Sequence, residues 1–175
     1  EESMTRLGAA VESLSELFVL YDPDDRLVIC NKVYRNLNSE TAETIVPGAR
    51  FEDHQRALIE KALYDDIEGR EEAWLKERIE RHQNPSGLFE MFCNGRCLLV
   101  NEQRLPDGSI VTISTDITER KETEGALLQS EERLRGVIES FQEGFALFDA
   151  DDRLVALNDM YLSVSPGAGK IMENG

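Results

Sequence analysis

Three groups of side chains in this chain have the types and spacing that chemistry would need. Trp74, Arg78 and His82 fall four residues apart, which on a helix puts them on neighbouring parts of one surface. An arginine and a histidine beside an aromatic ring could hold a small carboxylate. The same two cations could equally form surface ion pairs with Glu71, Glu77 or Glu80, and that is the favoured expectation. Cys93 and Cys97 have a spacing that invites a metal or a disulfide. Asn94-Gly95 between them is a strong signal for a two-residue hairpin turn, however. Centring the turn there pairs Cys93 with Arg96 and Phe92 with Cys97, so the two thiols point to opposite faces of the ribbon. Structural cysteines and no metal are therefore expected. Asp116 and Thr118 form the third group: a short acid and a hydroxyl between a strand and a helix can cap orphan helix N–H groups. Asp116 could also pair with Arg26 or Arg96.

Catalysis would need a constellation, and the sequence offers none. His54 and His82 are its only histidines. No Gly-x-Ser-x-Gly, phosphate-binding glycine loop or His-Glu-x-x-His occurs. Net charge is −16, from 35 acidic residues against 19 Lys and Arg. Such a surface repels phosphate backbones and anionic lipid, which argues against nucleic-acid or membrane-surface binding. No apolar run approaches the roughly 20 residues of a membrane span. Three sparse cysteines suit a reducing compartment.

The elements that must position these residues follow from periodicity. Apolar residues at three- and four-residue steps predict a helix over Thr5–Leu17. Phe18–Tyr21 and Leu27–Cys30 read as strands around the turn Asp22-Pro23-Asp24-Asp25. The middle of the chain is helical and polar, with helices over Phe51–Tyr64 and Arg70–His82. Three strands follow: Phe89–Cys93, Arg96–Arg104 and Ser109–Thr115. Phe89, Met91, Leu98 and Val100 share a covered face, which Val111 and Ile113 are expected to continue. A charged helix runs from Thr118 to about Phe141, with Leu127, Leu134 and Phe141 spaced by sevens as a partial heptad.

The opening of the chain is written twice. Val11 to Tyr34 recurs as Ile138 to Tyr161 without a gap, and about half of the aligned positions are identical. A period of about 127 residues is the length of a small domain. The expected organisation is a helix at 1–17, a complete domain at 18–117, a linker helix at 118–141 and the start of a second copy at 142–175. The second hairpin, without counterparts of three strands, would keep an unpaired edge.

Two strands, a helical middle and three antiparallel strands lead into Ser114-Thr115-Asp116-Ile117-Thr118-Glu119-Arg120-Lys121 and a helix. This order resembles a PAS domain. The Asp-Ile-Thr triplet is similar to the usual PAS ending, and Asp22…Asp25-Arg26-Leu27-Val28…Asn31…Tyr34 to the usual opening. Leu127-Leu128-Gln129-Ser130-Glu131-Glu132-Arg133-Leu134-Arg135 resembles the connector between tandem PAS domains of bacterial sensors. Glu72-Ala73-Trp74-Leu75…Arg78…His82 with Asn94-Gly95-Arg96 resembles a subgroup common in sensor kinases and cyclic-dinucleotide enzymes.

The resemblance implies an α+β fold: a five-stranded antiparallel sheet with helices packed on one face, flanked by long amphipathic signalling helices. It implies a pocket between sheet and helices, with Trp74, Arg78, His82, Met91 and Leu98 as its candidate lining, and a signal relay through Asp116, Thr118 and Arg26 into a coiled coil. No cofactor is the leading expectation, with haem or a small metabolite as alternatives. Haem would need an axial histidine, for which His82 is a better candidate than His54, although a histidine near a helix C-terminus also suits the dipole. The reactive cysteine of flavin photosensors sits in Asn-Cys-Arg on a helix; Cys93-Asn94-Gly95-Arg96 has the wrong order and lies on a hairpin. The implied whole is a cytoplasmic, homodimeric sensory region of a two-component histidine kinase, itself without catalytic residues, joined to an output domain. The alternatives are a diguanylate cyclase or phosphodiesterase parent, or a ligand-free dimerisation spacer.

Overall fold

The computed structural model describes residues 2–165; the last ten residues of the expected second copy lie outside them. Two compact units divide at Lys121/Glu122.

In the first unit, α1 (Glu2–Ser13) precedes β1 (Leu17–Tyr21) and β2 (Leu27–Cys30). Then come α2 (Lys32–Leu37), 3-10 turns over Ser39–Thr44 kinked at Thr41, α3 (Phe51–Glu60) and α4 (Glu71–Gln83). The unit is completed by β3 (Leu88–Cys93), β4 (Arg96–Arg104) and β5 (Ile110–Asp116), and α5 (Thr118–Glu139) begins within it. The strands form one antiparallel sheet in the order β2-β1-β5-β4-β3. This is the α+β architecture expected from the sequence.

Local chemistry sets the breaks. The predicted first helix stops four residues early, because the Asn31 side-chain amide takes the Glu16 carbonyl at 2.7 Å and draws the chain into an extended path. Leu17 therefore opens β1 as a buried core residue instead of closing the helix stripe. The first hairpin turns where Asp22 Oδ1 accepts the N–H groups of Asp24 and Arg26, both at 2.9 Å. Asp25 sits there at φ 56°, a conformation an aspartate tolerates. The β3–β4 turn is the predicted two-residue one: Asn94 and Gly95 both have positive φ, and Cys93 faces Arg96 while Phe92 faces Cys97.

One strand reads differently from expectation. Arg104 pairs with Ile110 across the Leu105–Ser109 loop, and this register sets Ile113 opposite Asn101 and Val111 opposite Gln103. Val111 and Ile113 thus lie on the face away from the helices, and Ile110, Thr112 and Ser114 are the buried set. The core forms between sheet and helices, where Val19, Tyr21, Leu27 and Phe51 pack together, and Leu17, Leu98 and Val100 pack alongside. In α3 the buried residues Phe51, His54, Gln55 and Leu58 follow the helical period.

In the second unit α5 continues, followed by β6 (Ala146–Phe148), β7 (Leu154–Leu157) and α6 (Asp159–Val164). Among the described residues β6 and β7 form a sheet of two strands. The repeat extends to individual bonds. Asn31 and Asn158 are both fully buried, and each side-chain oxygen caps its helix at the N–H of Tyr34 or Tyr161. Each also accepts the N–H of Phe18 or Phe145 and donates to the carbonyl of Glu16 or Glu143. A single asparagine thus ties the helix end, strand and following helix in both copies.

Candidate functional site

The site is assembled from β1, α3, α4, β4 and β5. Helix α4 has an unusual buried face: Leu75, Arg78 and His82. Two basic side chains turned into a core need compensation. It comes from β4, where inward alternation after Leu98 and Val100 reaches Glu102. Arg78 donates from both terminal nitrogens to the Glu102 carboxylate, at 2.6 and 3.1 Å, a forked charge-assisted pair. His82 Nδ1 lies 3.0 Å from the same carboxylate, and Thr112 Oγ1 lies 3.4 Å from it. Burial opposes the charge on Glu102, but the His82 hydrogen bond and the Arg78 guanidinium hold its pKa down to about 2. Burial likewise works against the charge on Arg78, and Glu102 outweighs it to raise its pKa.

Aromatic rings enclose this ion pair. Phe51 stacks on the His82 imidazole with centroids 3.7 Å apart, and Tyr21 meets both rings edge-on. His82 Nε2 is 3.8 Å from Asp25 Oδ1, in the hairpin turn, and Gln83 Nε2 donates to the other Asp25 oxygen at 3.0 Å. The C-terminal end of α4 is thereby held to the β1–β2 turn.

Beside the pair is a small cavity of about 40 Å³. Its lining includes Tyr21, Tyr34, His54, Arg78, Met91 and Leu98. His54 Nδ1 is 2.8 Å from the Thr44 hydroxyl. Burial first, and the nearby Arg78 charge second, lower the His54 pKa to about 4, so the ring is neutral at pH 7. Burial pushes the Tyr21, Tyr34 and Tyr64 phenols up. Among the described residues, the buried side-chain atoms without a hydrogen bond of normal length are the Tyr21 hydroxyl, Arg78 Nε and His82 Nε2.

The residues predicted from sequence divide accordingly. Arg78, Met91 and Leu98 line the cavity, and His82 adjoins it through Glu102. Trp74 packs against Tyr64, at a centroid distance of 4.0 Å, in a cluster with Leu58, Ile67, Met91 and Cys93 that borders the cavity, and it lines a wider open cleft with Arg78 and Met91. Arg78 pairs with none of Glu71, Glu77 and Glu80; its partner is buried 24 residues away. Glu102, Tyr21 and Thr44 join the site without belonging to any of the sequence-predicted groups. The strand alternation that placed Leu98 and Val100 inward carried the signal for Glu102, since the next inward residue in an apolar core was a carboxylate. Cys30, Cys93 and Cys97 are free and buried, and burial pushes Cys93 up to about 12. Among the described residues no His, Cys, Asp and Glu cluster could hold a metal ion.

At the far end of β5, Asp116 Oδ1 accepts the Thr118 N–H at 3.0 Å and its hydroxyl at 2.5 Å. The Thr118 hydroxyl oxygen in turn accepts the Cys97 N–H at 3.0 Å, and the Ile117 N–H donates to the Cys97 carbonyl at 2.8 Å. Arg96 lies 3.4 Å from the second Asp116 oxygen. Of the two arginines considered from sequence, Arg96 is thus at the junction. Arg26 is elsewhere, donating to the Gly48 carbonyl at 3.0 Å beside the first hairpin. Burial disfavours the Asp116 charge slightly, but the two Thr118 hydrogen bonds and Arg96 leave its pKa lowered.

A five-stranded antiparallel sheet cupped by helices over a small interior cavity, with its last strand leading into a long helix, defines a recognisable class of α+β domain. The chain belongs to the PAS fold family, whose model matches residues 11–125. It is 33% identical over 139 residues to the Non-motile and phage-resistance protein of Caulobacter vibrioides, a match taking in 76% of this chain and 14% of that protein. The chain therefore spans a small part of that relative's length. Among solved structures it is similar to the PAS domain of Bordetella pertussis BvgS, at 17% identity and TM-score 0.45, covering 76% of this chain and 99% of that one. It is also similar to a domain of a sensory box sensor histidine kinase/response regulator from Geobacter sulfurreducens (15%, TM-score 0.43, 65% and 94% covered). A third similar structure is the PAS domain of the Cronobacter turicensis quorum-sensing receptor RpfR in complex with C12:0 (15%, TM-score 0.41, 62% and 99% covered).

Proposed function

We propose that these residues form the sensory and dimerisation region of a bacterial signalling protein, with a two-component histidine kinase as the parent. The carrying observation is that one strand serves both ends of the relay. β5 contributes Thr112 and Ser114 to the cavity lining, and two residues later Asp116 caps the start of α5. A change in the cavity that shifts β5 along its own axis strains the Asp116–Thr118–Cys97 bonds and biases the helix between two arrangements. Output chemistry is assigned to a domain beyond these residues, in the cytoplasm. Consistent with that, no described helix is long and apolar enough to cross a membrane.

Dimerisation is assigned to α5. Leu127, Leu134 and Val137 are all more than half exposed on it, and Leu127 and Leu134 are one heptad apart. The test of the relay is Asp116→Ala in the full-length protein. Expected is a loss of signal response with the unfolding midpoint moved by about 1 kcal/mol or less, the value of one exposed cap. An unchanged response would sink the relay. A second reading, a dimerising spacer without ligand, draws on the small cavity and the internally neutralised ion pair. It predicts that Asp116→Ala changes stability and nothing else.

A further inference from the structure

We propose that the interior cavity takes a small uncharged molecule bearing a carbonyl or hydroxyl oxygen, with the Tyr21 hydroxyl and Arg78 Nε as its donors, and that it rejects the isosteric carboxylate. This rests on the sensory reading above and names the class of ligand that such a sensor would detect.

Charge sets the first constraint on what the cavity can hold. An arginine in a cavity wall ordinarily suggests an anion. Here both terminal nitrogens of Arg78 are already taken by Glu102, and the pair is close to neutral as a unit. A second carboxylate entering the cavity would be desolvated without a free cation to offset it, and the Glu102 carboxylate would repel it. His54, the other basic group in the wall, is neutral at pH 7. No free positive charge therefore faces the cavity among its described lining residues.

The hydrogen-bond inventory then sets the polarity. Tyr21 and Arg78 both line the cavity, are 1% and 7% exposed, and each carries one buried atom without a hydrogen bond of normal length: a hydroxyl, which has the Tyr34 phenol as its neighbour, and Nε–H. Buried donors left unsatisfied cost folding free energy, so a cavity with two such residues in its lining is suited to an oxygen acceptor. Ser114 and Thr112 bring hydroxyls to the same wall, and Leu98 and Val100 supply apolar surface. Size completes the description. A volume of about 40 Å³ corresponds to about three water-sized spheres, which suits a ligand of about four non-hydrogen atoms.

Acetamide and acetate are isosteres of that size and differ in charge. Each is titrated to about 100 mM at pH 7 into the 175-residue chain and into Tyr21→Phe, read by amide shifts of Tyr21, Thr112 and Ser114. Expected are saturable shifts with acetamide and binding at least about tenfold weaker with acetate. Tyr21→Phe is expected to weaken acetamide at least about fivefold while its unfolding midpoint stays near wild type, since the lost hydroxyl makes no hydrogen bond of normal length and its neighbour, the Tyr34 phenol, also lines the cavity. Three results would each overturn the proposal: acetate binding as tightly as acetamide, acetamide binding unchanged by Tyr21→Phe, or no saturable shift with either probe. Water as sole occupant would give the last. Because binding is read directly and the relay is read from Asp116→Ala output, the two can fail separately.

Discussion

Replacing Glu102 by Leu would leave the Arg78 guanidinium in the core without its partner, and replacing Arg78 by Met would take the guanidinium from the carboxylate. Each change removes one half of a buried pair that is 7% and 1% exposed. Uncompensated buried charge of this kind costs roughly 3–5 kcal/mol. The double variant Arg78→Met, Glu102→Leu removes both charges, and its cost is expected to be well below the sum of the singles. Urea unfolding of the four proteins measures this, and additive losses would show that the two side chains do not work as a pair. The same residues show what can be read from a sequence. Arg78 and His82 were legible as neighbours on one helix, because helical spacing is local. Their partner was legible only as an inward position on a strand. Which carboxylate closes the pair depends on how α4 lies over β4, and that is a packing outcome.

The elements were more legible than the contacts between them, for a similar reason. The β3–β4 hairpin follows from Asn94-Gly95, whose positive φ angles fix the register within a few residues. The β4–β5 connection contains Pro106-Asp107-Gly108 inside a longer loop, where one residue of slip turns a strand over. The faces of Val111 and Ile113 depended on that slip. Helix α5 shows a limit of another kind. It ends at Glu139, so Phe141, the third member of the seven-residue series, lies past the last helical residue and packs on Phe145 at 5.8 Å. The seam within the helix is therefore short. A parallel dimer built on it is expected to lose at least about tenfold in self-association when Leu127 and Leu134 are both replaced by Lys, since each removes a seam residue and adds a like charge. Sedimentation of the wild type and the double variant checks this; an unchanged oligomeric state places the dimer contact elsewhere.

For the molecule as a whole, two buried groups set the response to acid. His54 has its pKa lowered from 6.5 to about 4, so between those values the unfolded chain takes up a proton that the folded protein refuses. Stability falls as pH drops through that window, by about 2 kcal/mol between pH 7 and 5. Glu102, lowered from 4.5 to about 2, adds a further loss as pH falls below 4.5. Denaturant midpoints at pH 7 and 5 are expected to converge in His54→Gln. A pH dependence in that variant equal to wild type would assign the first window to another group.

The bond-for-bond repetition around Asn31 and Asn158 has a cost that only folding reveals. Two hairpins anchored alike, in one chain, are rivals for the place beside β5 at one end of the five-stranded sheet, and misassembly of the wrong one is the hazard of every tandem duplication. The two copies differ where that choice is made. Leu17 and Val19, both buried against the sheet's core, correspond to Gly144 and Ala146 in the second hairpin. An exchanged strand would leave two holes in the core, a penalty of roughly 2–5 kcal/mol for truncation at even one such site. Gly144 is small for its own reason: an added Cβ would come within 3.3 Å of the Tyr161 backbone. What makes each hairpin fit its own neighbours also keeps it from impersonating the other.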